Sequence, residues 1–478
     1  MDALTLARWQ FGITTVYHFF FVPLTVGLSG LVAILQTIWV RTGNESFLKL
    51  TKFFGKLFLI NFALGIVTGI VQEFQFGMNW SSYSRFVGDI FGAPLALEGL
   101  LAFFLESTFL GLWIFGWDRL PRKVHLATIW IASIGTVFSA YFILAANSFM
   151  QNPVGFRYNP VTERAELTDF VAVLTNPVVL VTFPHQIFAC YLVAGAFLVA
   201  VAGWHLRRPR PEPERVEDGV AQGDDHSAFR TALRLGAVVM LISGAGVAIS
   251  GDAQSKVMVE VQPMKMAAAE ALYETEQPAA FSVLTIGSLD GQHELFSIRI
   301  PYLLSFLSTG DPQGEVKGIR ELQRTYEETY GPGSYAPIIP TTYWTFRLMI
   351  GLGLGSVAVG ALLLWMTRRD RTLAGRWWTP VLVGLPLLPL FANSFGWIFT
   401  ETGRQPWLVF GLLPTAAGVS PGTTVVEVAI SLGTFTLIYG TLAVIEVRLL
   451  LKYIRAGLPD VTPPEPKDGA EAPLTFAY

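Results

Sequence analysis

Apolar positions along this chain fall in long runs with almost no charge inside them, and short clusters of Lys and Arg part the runs. A helix needs about 20 apolar residues to cross a ~30 Å hydrocarbon core. Nine runs qualify, at 11–40, 54–78, 93–117, 125–149, 177–205, 232–251, 342–366, 378–400 and 426–450. Most exceed the minimum, which predicts tilted helices. Glu98 and Glu106 interrupt the third run, and His18 and His185 lie in the first and fifth. The sixth stops soonest, because Asp252 and Lys256 follow it. The pattern predicts an all-α membrane protein, a bundle of about nine transmembrane helices with a large loop between helices six and seven.

Basic residues alternate between the loops. Arg41, Lys49, Lys52 and Lys56 follow the first run, Arg119, Arg122 and Lys123 the third, and Arg207, Arg208, Arg210 and Arg215 the fifth. Arg368, Arg369, Arg371 and Arg376 follow the seventh, and Arg448, Lys452 and Arg455 the ninth. The loop after the second run offers only Arg85, and that after the eighth only Arg404. The positive-inside rule then places the N-terminus outside and the C-terminus in the cytoplasm. An odd number of spans requires the same opposition.

The expected organisation is helices one to six within 1–251, an outside loop at 252–340, helices seven to nine within 341–455, and a disordered cytoplasmic tail at 456–478. Pro209 to Ser227 is rich in Pro, Asp and Glu and reads as the core of a flexible cytoplasmic linker, 207–230. The outside segment has mixed charge, and its length makes it either functional or disordered. Within it Met264 to Glu276 has helix-forming composition, and Gly331-Pro332-Gly333 reads as a closing turn. Met1 to Gln10 lacks the features of a cleaved signal and reads as the start of the first span. No internal repeat of the kind found in transporters is visible.

Composition agrees: of 478 residues 52% are hydrophobic and 14% charged, with mean hydropathy +0.48, against about 25% charged in soluble domains. A net charge of −3 without a basic tract gives no reason to expect nucleic acid. The single cysteine, Cys190, excludes intrachain disulfides and Cys-based zinc or iron–sulfur sites, and reads as a core residue.

The candidate chemistry sits at one depth. Trp377 to Thr400 carries no Asp, Glu, Lys or Arg, so Glu401 is an acid at the mouth of a span. Ionisable groups there are costly and mark working residues. Trp397, Glu401 and Arg404 share one helical stripe. His18, His185 and Met349 begin helices that run inward and Glu401 ends one that runs outward, so all four are expected near the outer face at similar depth. Imidazole in an apolar, aromatic wall suits haem iron, and a His–Met pair would make it low-spin. Arg347 could hold a haem propionate, and a carboxylate ligand suits a high-spin iron with an open position. Glu98 and Glu106, staggered along one helix, resemble a proton relay. His125, His205, His226 and His293 read as solvated.

The chain resembles subunit I of the cytochrome bd-type quinol oxidases in Tyr17-His18-Phe19, Gly55-Lys56-Leu57-Phe58, Glu73-Phe74-Gln75-Phe76-Gly77, Gly88-Asp89-Ile90-Phe91-Gly92-Ala93-Pro94, Phe103 to Phe109, Met150-Gln151-Asn152-Pro153 and Gly403-Arg404-Gln405-Pro406-Trp407. The resemblance implies quinol oxidation coupled to dioxygen reduction, with two haems b and one haem d. It implies His185 and Met349 as ligands of low-spin haem b, with Arg347 beside it. His18 is expected to hold haem d and Glu401 the high-spin haem b, with Glu98 close to this pair. Trp397 would conduct electrons between haems and Arg404 would neutralise propionates. Ser139 and Glu106 match proton-delivery positions, and Lys265 and Glu270 match positions tied to quinol oxidation. A second large subunit, small single-helix subunits and a bacterial cytoplasmic membrane are also implied. The outside loop lacks the insertion of a long-loop branch. A proton-coupled transporter and a haem protein without oxygen chemistry are the rival classes; the first leaves the depth-matched His, Met and Glu unexplained.

Overall fold

The computed structural model describes residues 2–208, 225–288, 291, 293–368, 373 and 375–461. Among them nine helical stretches are long and apolar enough to cross a membrane: Ala3–Thr42, Glu45–Met78, Ser81–Phe115, Arg122–Gln151, Phe170–Leu206, Asp225–Val261, Ile339–Thr367, Trp378–Thr402 and Val425–Ala456. Local chemistry sets many of their ends. Asp2 caps the first helix through Thr5 N at 2.7 Å, Asn176 caps the long helix of the fifth span ahead of Pro177, and Thr424 with Glu427 forms a capping box on the ninth.

The helices outrun the apolar stretches that announce them. The third starts at Ser81 and so carries Arg85, and the sixth continues to Val261 with Asp252, Lys256 and Glu260 on it. Backbone hydrogen bonds continue wherever φ and ψ allow, whether or not the side chains suit lipid. The sixth also begins at Asp225, and Arg207 is tied to the carbonyls of Leu373 and Gly375. The expected linker is therefore shorter than 207–230; its centre, like most of the expected tail, lies outside the described residues.

The third span is not a uniform α-helix, because Glu98–Phe103 winds as a π-helix. The eighth is two helices, Trp378–Gly384 and Leu387–Thr402, separated at Leu385-Pro386. In the first, second, fifth and sixth helices a dense apolar core fills the end away from Glu401, built on Leu28, Phe54, Leu57, Val199 and Leu233. Two histidines expected to be solvated belong to the buried structure. His125 is 2% exposed and bridges Gln36 and the Trp113 carbonyl. His205 bonds the Ile454 carbonyl and stacks on Phe229. An imidazole at a helix end satisfies backbone carbonyls that would otherwise be orphaned. His226 lies in the first turn of the sixth helix rather than a loop, while His293 is exposed.

The segment between the sixth and seventh helices is structured. It holds a short helix, Pro263–Glu270, an antiparallel hairpin of Phe281–Gly287 and Glu294–Ile300, and two further helices, Leu303–Thr309 and Ile319–Tyr330. Gly331 ends the last of these with φ of 95°, a conformation that favours glycine.

Candidate functional site

Small and aromatic residues on the first, second, third, fourth and eighth helices leave a cavity of about 1430 Å³ at the end of the bundle where Glu401 lies. Ordinary small-molecule pockets hold about 300–1,000 Å³, so this space suits a large apolar group or more than one. Its wall contains His18, Glu98, Glu106, Ser139, Trp397, Glu401 and Arg404. His185, Met349, Arg347, Lys265 and Glu270 are not on that wall. The expected residues thus divide into two groups.

The expected common depth holds only loosely. The Trp397 ring is 6.3 Å from both Phe11 and Phe19, so it lies level with the stretch between them. Glu401 is one turn nearer the end, and His18 lies roughly 10 Å deeper than Glu401 at 1.5 Å per residue. The eighth helix ends at Thr402, so Arg404 lies beyond the predicted stripe. It still reaches back to Glu401, and its Nη2 donates to Glu401 Oε2 in a short ion pair. Asn147 donates to the other oxygen, Oε1, at 3.0 Å. Each carboxylate oxygen keeps a further lone pair.

Hydroxyls set both histidines. The Thr68 hydroxyl donates to the Leu64 carbonyl and stands 2.9 Å from His18 Nδ1. Its one proton is committed, so it accepts from Nδ1–H and the His18 Nε2 lone pair is left available. Ser250 repeats the device on His185: it donates to Gly246 O at 2.6 Å and accepts from His185 Nδ1 at 3.2 Å. Met349 Sδ lies against Gly396, where an added Cβ would come within 2.8 Å of the sulfur.

The two acids of the third span meet the fourth through separate hydroxyls. Ser139 donates to Glu98 Oε1 at 2.7 Å and Thr136 to Glu106 Oε1 at 2.9 Å. Thr136 was not among the expected residues, although it lies one turn from Ser139 on the same face. Asn147 and Gln151 were also missed, since a polar side chain in a span gives no sign of its partner.

The short helix Pro263–Glu270 joins the two groups. Lys265 and Glu270 are five residues apart and therefore diverge around it. Lys265 is buried, donates to Gln151 Oε1 and packs its chain on Gly403. Burial first, and then the nearby Arg404, push its amine well below the ordinary lysine range, against the pull of Glu401. Glu270 accepts from Arg347 at 2.6 Å, with side chains 4% and 11% exposed. Burial raises the Glu270 carboxyl, and the Arg347 pairing offsets this only in part. The guanidinium also lies over the Phe281 and Tyr343 rings at 4.8 and 4.7 Å.

Among the described residues, two buried nitrogens of Arg347, Nε and Nη1, and Nη1 of Arg404 have no hydrogen-bond partner. Buried donors of this kind are costly unless something accepts from them. Arg404 Nη1, on the wall of the large apolar cavity with His18 and its available Nε2 lone pair, fits a flat ring system carrying carboxylates. Arg347, off that wall, offers the same kind of donor beside the helix of Met349.

A family model described as cytochrome bd terminal oxidase subunit I matches residues 6–458. The chain belongs to this family. It is similar to a protein of Bacillus subtilis (strain 168) described as cytochrome bd ubiquinol oxidase subunit 1, at 45% identity over 96% of this chain and 94% of that one. It is also similar to the cytochrome bd-II ubiquinol oxidase subunit 1 of Escherichia coli (strain K12), at 37% identity over 95% and 97%. The solved bd oxidase of Geobacillus thermodenitrificans shares the fold with a TM-score of 0.83 and 28% identity, covering 95% of this chain and 99% of that one. Membership in the bd oxidase family implies haem cofactors, and the residues above fit them.

Proposed function

We propose that this chain is the quinol-oxidising and dioxygen-reducing subunit of a bd-type oxidase. Two relatives described as ubiquinol oxidase subunits support quinol as the reductant. The single observation that carries the reading is the cavity that surrounds one apolar volume with His18, Glu401, Trp397 and two hydroxyl-bonded acids.

Haem iron, when bound, supplies one-electron transfer and the dioxygen chemistry. His185 and Met349 would hold low-spin haem b, His18 haem d and Glu401 the high-spin haem b. Thr68 and Ser250 present Nε2 of the two histidines as the ligating nitrogen. Arg347 and Arg404 offer charge-assisted donors to carboxylate groups. Arg404 and Asn147 fix the Glu401 carboxylate in orientation. Trp397, between Phe11 and Phe19, provides a continuous aromatic path across the site.

Quinol is taken up at the Glu270–Arg347 pair, beside the helix that carries Met349. A buried carboxyl with raised proton affinity suits acceptance of a quinol proton. Lys265 links the same short helix to the turn holding Arg404. The alternation of loop charge supports this end of the bundle as the outside, with quinol protons leaving there. Glu106 and Glu98, each held by a hydroxyl of the fourth helix, pass protons from the cytoplasmic side toward the cavity. Charge separation follows without a pump. The setting is a bacterial cytoplasmic membrane, with a second large subunit and small single-helix subunits as partners.

A reduced-minus-oxidised spectrum of the purified oxidase with oxygen-uptake measurements tests the reading. A chlorin band near the red end together with quinol-driven oxygen uptake is expected. Absence of both overturns it.

A further inference from the structure

The hairpin between the sixth and seventh helices has its polarity reversed. Cross-strand partners sort by face: Ile286 opposite Phe296 and Leu284 opposite Ile298 on one, Ser282 opposite Arg299 and Thr285 opposite Ser297 on the other. Phe281, at the base of the hairpin opposite Ile300, turns inward onto Arg347 and buried Leu272 and Leu304. A register shift between Ser282 and Leu284 keeps this sorting. An antiparallel sheet facing water turns its apolar face to the protein. Here the polar face is turned inward. Ser282 and Thr285 are buried; Ser282 Oγ shares a 2.8 Å hydrogen bond with the Tyr343 hydroxyl, and Thr285 N donates to it at 2.6 Å. Arg299 donates to Glu276 at 3.1 Å. On the outward face Ile286, Phe296, Ile298 and Ile300 are 44–53% exposed.

Tyr343 sets the depth of this face. Leu348 to Thr367 contains no charged residue, and these residues span about 30 Å, the thickness of the hydrocarbon core. The core boundary therefore falls near Leu348, and Tyr343 stands roughly 7 Å above it at 1.5 Å per residue. A hairpin bonded to Tyr343 lies within the headgroup layer, where interfacial elements bury apolar faces. Trp344, next to Tyr343 on the helix, is exposed at the same level, as interfacial aromatics are. Exposed Leu348 and Leu354 continue the apolar surface down the seventh helix.

We infer that the hairpin is a monotopic membrane element whose apolar face rests in the lipid leaflet at the Glu401 end of the bundle. One consequence rests on the quinol reading: because Phe281 covers Arg347, a lipid-borne quinol reaches the Glu270–Arg347 pair beneath the hairpin without crossing water.

Cys190 is buried, and subtracting the signal of the unsubstituted oxidase isolates that of a nitroxide on cysteines placed at Phe296, Ile298 and Ile300, with exposed Glu315 as a control. The assembled oxidase is held in lipid nanodiscs, and spin-label collisions with dissolved oxygen are compared with those of a water-soluble nickel chelate. Oxygen should dominate at the three hairpin sites and nickel at Glu315. Nickel dominance at the hairpin means water covers it, and few collisions with either reagent mean a protein covers it; each result overturns the inference. Ile298→Trp gives a second measure, read as the quenching by brominated lipid added to that of the thirteen native tryptophans; no added quenching counts against it. For the quinol route, Ile298→Asp should raise KM for a long-chain quinol several-fold and leave a short-chain quinol unchanged. Equal KM values overturn the route and retain the insertion, whereas loss of oxidation of both quinols by the unsubstituted enzyme overturns the quinol reading itself.

Discussion

The Glu270–Arg347 pair can be broken in a way that separates charge from packing. Glu270→Ala leaves a guanidinium that is 11% exposed facing a site from which its carboxylate has gone. Removing one partner of a buried pair costs about 3–5 kcal/mol, most of it from the stranded charge. The rings of Phe281, Tyr343 and Phe346 lie 4.7–5.2 Å from that guanidinium, which places the expected loss at the lower end. Glu270→Leu combined with Arg347→Met removes both charges and should restore most of the stability, a coupling on the order of 3 kcal/mol. Equilibrium unfolding in mixed micelles, followed by tryptophan fluorescence, measures each variant. The pair also has a pH signature. Burial raises the Glu270 carboxyl above its ordinary 4.5, so the folded protein binds this proton more tightly than the unfolded chain. Stability must then fall as pH rises from 4.5 through the raised value, by at most about 1.4 kcal/mol per unit. Glu270→Gln should lack that slope. A single variant costing under about 1 kcal/mol, the range of an exposed pair, or a double variant costing the sum of its parts, would refute the reasoning.

Three further outcomes are expected. Met349→Leu should turn the low-spin haem high-spin and leave the other haem bands in place; an unchanged spectrum removes Met349 as a ligand. Ser250→Ala should weaken retention of that same haem about 10–100-fold, measured by competition with a haem-scavenging globin, and no change would mean the His185 tautomer is set otherwise. Lys265→Met should flatten the rise of stability with pH: burial holds the amine below its ordinary 10.5, the folded state binds less proton than the unfolded one, and wild-type stability therefore climbs as pH approaches that value.

Hydrophobic runs were enough to place the nine candidate spans found among the described residues, because a lipid solvent demands long apolar helices whatever they pack against. They did not place helix ends. Asp252 and Glu260 remain helical past the hydrophobic boundary, since a helix emerging into water loses nothing by carrying charge. The π-helical turn at Glu98 was equally hidden: it changes hydrogen-bond spacing, not composition. His125 and His205 were misread because charge in a neighbouring loop says nothing of the carbonyls an imidazole can reach.

By itself, the sequence determined the membrane class, the number of spans, the alternation of loop charge and the residue types suited to haem. Those are properties of solvent partition and of each side chain's own chemistry. Only the tertiary structure decided that His18 and Glu401 share one cavity while His185 and Met349 stand outside it. It alone paired Glu98 with Ser139, Glu106 with Thr136 and Glu270 with Arg347, and aligned His18 and His185 through Thr68 and Ser250. Each of these depends on helices far apart in the chain meeting at a particular rotation and height, which no run of residues along one helix specifies.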